Sequence, residues 1–330
     1  MAVAILLTVM TAVRLPDAAT PYVLIERTNE RDVLEVDPAT IIDLYRTHGA
    51  ILLRGFCADA VHFRDFARQF CATAVVNESR GRQPIDAAHH IHAVDAGTRA
   101  FALHPELARE PWKPDVAMFG CLSAPSVGGR TTICDGVALN RALPEVVRSG
   151  LAGRRLVYVM PTWPALLEYW LGSGEPDDAL LSSPPQSCPY RFERRGDRVV
   201  RYFSRPALHR PMFIDAPAFG NFLLFARFNN NRTDFPLLDD GTSVPEVWLQ
   251  SIKSAGDRIA TEISWQSGDV LMLDNTRFMH GRTAIVDGGT RLVATFFGYL
   301  KFACPNPEEP VDAIWRREDF RPPLPPDLVR

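Results

Sequence analysis

Three residues far apart in this chain could do chemistry together. His104-Pro105-Glu106 sets two potential metal ligands at positions i and i+2, and on an extended backbone such side chains project to one face and can reach one ion. Alone, the pair is a common chance combination. The segment Trp265-Gln266-Ser267-Gly268-Asp269-Val270-Leu271-Met272-Leu273-Asp274-Asn275-Thr276-Arg277-Phe278-Met279-His280-Gly281-Arg282 supplies the rest. There a buried strand ends in a polar turn and delivers His280 to the strand mouth, and Arg291 follows eleven positions later at the head of another apolar run. Two histidines and a carboxylate make the facial ligand set of non-haem iron(II) enzymes, with three adjacent coordination positions left open. A 2-oxo acid can chelate through two of them and O2 can take the third. An arginine fork pairs with a distal carboxylate by two charge-assisted hydrogen bonds; Arg291 is the candidate and Arg282 its nearest competitor.

The elements that must position these residues show in the apolar pattern. Asp37 then Pro38 starts a helix, Ile41, Ile42, Leu44 and Tyr45 form its stripe, and Gly49 stops it after His48. Ala50-Ile51-Leu52-Leu53 reads as a buried strand closed by Gly55. Phe63, Phe66, Ala67, Phe70 and Cys71 fall at the spacing of a second amphipathic helix. From about residue 98 short apolar runs predict a β-rich body: Phe101 to Leu103, Val116 to Leu122, Thr131 to Cys134, Leu156 to Met160, Ile263 to Trp265, Val270 to Leu273 and Leu292 to Phe297. Arg195-Gly196-Asp197-Arg198 reads as the turn of a hairpin on an inserted segment, Gly172 to Pro189 as a surface loop or lid, and Ser243 to Gly256 as one more helix. No fixed-period repeat or linker divides the chain, so a single domain over 1–330 is expected, with an insert at about 160–230 that could act as a lid.

Composition narrows the function classes. With 330 residues, 46% hydrophobic and 23% charged, the chain can bury a large core. A formal charge of −3 provides no basic field for a polyanion, so a small molecule is the expected partner and nucleic acid is not. Of the 36 basic residues only Lys113, Lys253 and Lys301 are lysines, a bias that genome composition explains without function. The six cysteines are scattered without close pairs, which fits a reducing, cytoplasmic setting. The apolar run Met1 to Val13 has no positive residue before it and is too short to span a bilayer, so it reads as a first strand or a mobile end and no membrane partner is expected. Oligomeric state is not legible.

Beyond this chemistry the chain resembles the taurine dioxygenase and clavaminate synthase-like family of iron(II)/2-oxoglutarate oxygenases. Gly49 to Phe56 is similar to that family's early strand, Gly128-Gly129-Arg130-Thr131 to its Gly-Gly-acidic-Thr element, and Trp265 to Arg282 is the most diagnostic stretch. The resemblance implies a double-stranded β-helix (jelly roll), mainly β with flanking helices. It implies His104 and Glu106 as proximal ligands of Fe(II), His280 as the distal one, Arg291 as anchor of 2-oxoglutarate and Thr131 as a hydroxyl partner of the same carboxylate. Asn229, in Arg227-Phe228-Asn229-Asn230, matches a stretch near the pocket wall and is a candidate substrate contact. Arg130 departs from the usual acidic residue. Glu106, where many members carry aspartate, is a choice resembling the family's amino-acid hydroxylases, so hydroxylation of an amino acid or derivative is the expected reaction.

Other readings stay open at this point. Desaturation, epoxidation or cyclisation on the same scaffold share these ligands. A zinc hydrolase could use the same three side chains, with no role for Arg291. A non-catalytic jelly-roll binding protein could keep the fold without turnover. His89, His90 and His92 with Asp95 could imitate a metal site, although exposed loop histidines are the simpler reading. His48 is placed for a helix dipole, His209 reads as structural, and His62 has no partner in view.

Overall fold

The computed structural model describes residues 12–75, 77, 82–287, 289, 291–304 and 306–325. The run read as a first strand lies outside the described residues apart from Ala12 and Val13, which open the exposed strand Ala12–Arg14. The early helix is Pro38–His48. The Asp37 carboxylate accepts from the N–H groups of Ala39 and Thr40 at its start, and Gly49 ends it at φ 75°, donating to the Tyr45 carbonyl. Left-handed backbone of this kind favours glycine. At that end the Arg277 guanidinium donates to the His48 carbonyl at 3.1 Å. Burial and Arg277 hold the His48 imidazole below its ordinary pKa. His48 lies in the last turn as expected, with Arg46, and Arg277 adds a cation bonded to the helix end.

Chain pairing sorts the body into sheets. Among the described residues the largest has nine strands; its spine runs Val23–Glu26, Ala50–Arg54, Val270–Asp274, Val116–Ser123, Leu292–Leu300. A second, four-stranded antiparallel sheet runs Thr261–Ile263, Thr131–Asp135, Phe278–Arg282, Phe101–His104. Alternation along the spine strands explains why they read as unbroken apolar runs. Met118, Met272, Ile51 and Phe296 face one way, into a cluster with Phe63, Phe66 and Tyr45 of the two early helices. Phe119, Leu271, Leu52 and Phe297 face the other way, into a cluster shared with Ile133, Ile263 and Met279 of the second sheet. A sheet covered on both faces has no polar face to display.

The inserted segment adds two strands to a separate four-stranded sheet whose other two come from its flanks, in the order Arg191–Arg195, Arg198–Pro206, Arg155–Pro161, Leu237–Leu238. Its hairpin pairs Arg195 with Arg198 around Gly196-Asp197, the two-residue turn read from the sequence. The stretch from Gly172 to Pro189, read as loop, carries the short helix Asp178–Ser182. The helix expected to stop near Gly256 runs from Glu246 to Ile259. Gly256 does not cap it: a Cβ there would sit 3.2 Å from Leu103 Cδ1, so glycine admits close packing against the second sheet. No helix among the described residues is long and apolar enough to cross a membrane.

Candidate metal centre

His104 ends the strand Phe101–His104, and across the antiparallel pair it faces His280 of Phe278–Arg282. The two imidazole centroids are 4.6 Å apart. The His104 Nδ1 lies 2.8 Å from the Ala102 carbonyl oxygen; a carbonyl only accepts, so Nδ1 carries the proton and Nε2 keeps its lone pair. Burial holds His104 below its ordinary pKa against the pull of Glu106. Burial, with His104 and Arg82 adding to it, holds His280 well below. Neutral imidazoles are the metal-binding form.

Glu106 reaches the same place by a different route from the one its spacing suggests. The strand stops at His104, and Glu106 sits in the turn beyond it, with Leu107 next at φ 50°. Two residues on one face of a strand is therefore not the geometry. The buried Asn275 side chain fixes the turn instead: its Oδ1 accepts from the Glu106 N–H at 2.7 Å, and its Nδ2 donates to the carbonyls of Glu106 at 3.1 Å and Pro114 at 2.8 Å. The Glu106 carboxylate accepts from Arg82 Nη2 at 2.9 Å and from Asn77 Nδ2, and its Oε2 is 3.7 Å from His280 Nε2. One ligand atom from each of His104, Glu106 and His280 lies within 4.8 Å of the others, and the three could hold one metal ion. Two neutral nitrogens and one carboxylate oxygen suit iron(II).

The site opens into a cavity of about 260 Å³ that Thr131, Arg282 and Arg291 also line. The two arginines differ in what they have left to give. Arg282 donates to the carbonyls of Asp95 at 2.7 Å, Arg99 at 2.8 Å and Gly97, and stacks on Phe101 at 4.3 Å. The Nε of each is buried without a partner, but among the described residues Arg291 makes no hydrogen bond at all. Burial, with Arg282 near, pushes it down to about 10. An unsatisfied buried donor costs about 1–3 kcal/mol, and an anion in the cavity would remove that cost. Gly129, at φ 63°, lies against it: a Cβ there would be 3.2 Å from Arg291 Nε. Thr131 Oγ1 accepts from Trp265 Nε1 at 3.0 Å, which leaves its own O–H free to donate.

Asn229 lies outside the cavity lining, where Asn230 is found. Its amide is taken up by the backbone before His104, accepting from the Ala102 N–H at 2.6 Å and donating to the Ala100 carbonyl at 3.4 Å. His89, His90 and His92 are half-buried, and His89 pairs with Asp86 at 2.8 Å. Among the described residues they form no group that could hold a metal. His62 does have a partner, the Asp59 carboxylate at 2.8 Å. Sequence reading missed Asn77 and Arg82, which sit in a stretch without pattern. It also missed Asn275, which lies inside the most diagnostic segment and could have been found there.

Comparison with known proteins agrees with this chemistry. No curated protein matches the chain. Among solved structures, the PvcB protein from Pseudomonas aeruginosa superposes with a TM-score of 0.57 at 18% identity, over 89% of this chain and 94% of that one. A second structure of PvcB, an Fe, alpha-ketoglutarate dependent oxygenase from an isonitrile synthetic pathway, has a TM-score of 0.57 at 18% identity over 90% and 98%. A taurine dioxygenase from Burkholderia xenovorans has a TM-score of 0.57 at 12% identity over 89% and 92%. These likenesses concern the fold. The model of the taurine catabolism dioxygenase TauD, TfdA family matches residues 25–296. That span holds all three candidate ligands and Arg291, and the chain therefore belongs to the TauD, TfdA family, as an Fe(II)- and 2-oxoglutarate-dependent dioxygenase.

Proposed function

We propose that the protein hydroxylates an unactivated carbon of a small molecule such as an amino acid or a derivative of one. The observation that carries this reading is the convergence, in one cavity, of the His104, Glu106 and His280 ligand atoms with the unpaired guanidinium of Arg291. His104, Glu106 and His280 would hold iron(II), which with O2 and 2-oxoglutarate supplies the oxidising power for attack on a C–H bond. Arg291 binds the distal carboxylate of 2-oxoglutarate, and the Thr131 hydroxyl adds a donor beside it. Arg82 and Asn77 hold the Glu106 carboxylate in place, as partners outside a metal's ligand set do.

The two facing sheets support a double-stranded β-helix, and the inserted segment at about 160–230 covers its mouth: Phe222, Phe225 and Asn230 of that segment line the cavity. Asp95 and Arg109 line it too, offering opposite charges to the two ends of an amino acid, and the aromatic wall excludes water from the reacting carbon. The test is anaerobic loading with iron(II) and 2-oxoglutarate, then a panel of amino acids and derivatives scored for stimulated succinate release and for product carrying oxygen from O2. His104→Ala, Glu106→Ala and His280→Ala should each abolish product and weaken iron binding. Full turnover in any one of them would remove that residue from the ligand set.

A further inference from the structure

A second cavity, of about 320 Å³, is built against the turn that carries Asn275, with Lys113, Arg205, Thr276 and Glu308 among its lining residues. Lys113 is only 8% exposed. Its ammonium makes a single contact, with the Gly220 carbonyl at 3.4 Å, so two of its three donors have no acceptor among the described residues. Arg205 donates from Nη2 to the carbonyls of Glu110 at 2.8 Å and Pro111 at 3.1 Å, while its Nε is buried without a partner.

Glu308 and Glu309 act on both cations, and Asp274 on Lys113, only through space. Asp115 is held by Arg316 at 2.9 Å and 3.0 Å, and Glu309 by Arg316 at 2.8 Å. Among the described residues no carboxylate lies within ion-pair distance of Lys113 or Arg205. Two buried cations that make no ion pair and keep unused N–H donors, converging on one cavity, can receive an anion there. Two features favour an organic anion over an inorganic one. The space is larger than a lone oxyanion fills, and Glu308, exposed at the wall, repels a multiply charged guest.

We infer that this cavity is a binding site for a small organic carboxylate, whose carboxylate group meets Lys113 and Arg205. The site is separate from the iron centre yet tied to it. The Pro114 carbonyl in its wall is gripped by the Asn275 amide that also holds Glu106.

Burial pushes the Lys113 amine down to about 7, which makes it a reactive amine at mild pH, and with only three lysines in the chain its labelling is easily resolved. The experiment is reductive methylation of the full-length protein, loaded anaerobically with iron(II) and saturating 2-oxoglutarate so that Arg291 is occupied. Lys113 labelling is followed by peptide mass spectrometry at pH 7, where the ammonium and the reactive amine are both populated, with propionate or inorganic phosphate as probe. Propionate should slow labelling of Lys113 at least fivefold while leaving Lys253 and Lys301 unchanged, and phosphate should not. In Lys113→Met, propionate binding measured by calorimetry at saturating 2-oxoglutarate should weaken at least tenfold. Absence of protection by propionate overturns the site, and equal protection by phosphate overturns the organic class of its ligand. Unweakened binding in the variant places the carboxylate elsewhere.

Discussion

Which arginine serves the cosubstrate depends on the oxygen atoms already within reach of each guanidinium. Arg282 is spent on the carbonyls of Asp95, Gly97 and Arg99, so it shapes the loop before the strand of His104. Arg291 has donors to spare. Arg291→Ala should therefore weaken 2-oxoglutarate by two to four decades, the equivalent of about 3–5 kcal/mol for breaking a buried charge pair, with iron affinity nearly unchanged. Arg282→Ala should cost less in a cosubstrate titration and more in thermal stability; the reverse ranking would make Arg282 the anchor. Asn275 acts on the backbone of Glu106, so it is a positioning residue. Asn275→Ala should lower iron affinity by about 10–100-fold. A circular dichroism spectrum that keeps its native shape, with Arg291-dependent 2-oxoglutarate binding retained, separates this from collapse of the fold. An unchanged iron affinity would mean that the turn after His104 holds Glu106 without the clamp.

At the scale of elements, spacing arguments held where one face of an element met one partner. They failed where a residue served a neighbour in space. Gly256 looked like a helix stop, yet the helix passes through it to Ile259 because the glycine lets Leu103 approach. Leu103 immediately precedes His104, so crowding there displaces the strand that carries a candidate ligand. Gly256→Val should destabilise the protein by about 1–3 kcal/mol, the usual cost of overpacking, and lower iron affinity with it. Thermal unfolding and a metal titration on the same sample check the pair of effects, and a stable variant with native iron affinity would show that Leu103 has room to move. Gly128 and Gly129 belong to the stretch similar to the family's Gly-Gly-acidic-Thr element. Both have positive φ, and a Cβ on Gly128 would lie 2.3 Å from the Ala284 carbonyl oxygen, so the pair admits the close approach of the segment leading to Arg291.

For the molecule as a whole, the cost of its buried titratable groups should appear in its acid stability. Burial, with Lys113 adding to it, pushes His209 from 6.5 down to about 3, and its Nε2 donates to the Thr276 carbonyl at 2.6 Å. Because the folded pKa is the lower one, the unfolded chain binds the extra proton. This stability is fully present above 6.5 and is lost as pH falls from there toward about 3. His209→Gln keeps a donor for Thr276 but does not titrate. Over that window the unmutated protein should lose about 1.4 kcal/mol per pH unit relative to the variant in denaturant titrations; a constant difference would mean that His209 protonates freely in the fold. The sequence by itself determined the buried strands, the caps of the first helix, the hairpin around Gly196 and which donor types stand at the candidate ligand positions 104, 106 and 280. These follow from local chemistry: side-chain period, backbone freedom and donor atoms. Only the tertiary structure decided that Asn275 holds Glu106, that Asn229 is spent on the backbone beside His104, and that the Nη atoms of Arg282 are taken by backbone carbonyls while those of Arg291 are not. Each of these turns on which groups from distant segments satisfy one another's hydrogen bonds, and that pairing exists only once the sheets have brought residues separated by more than a hundred positions into contact.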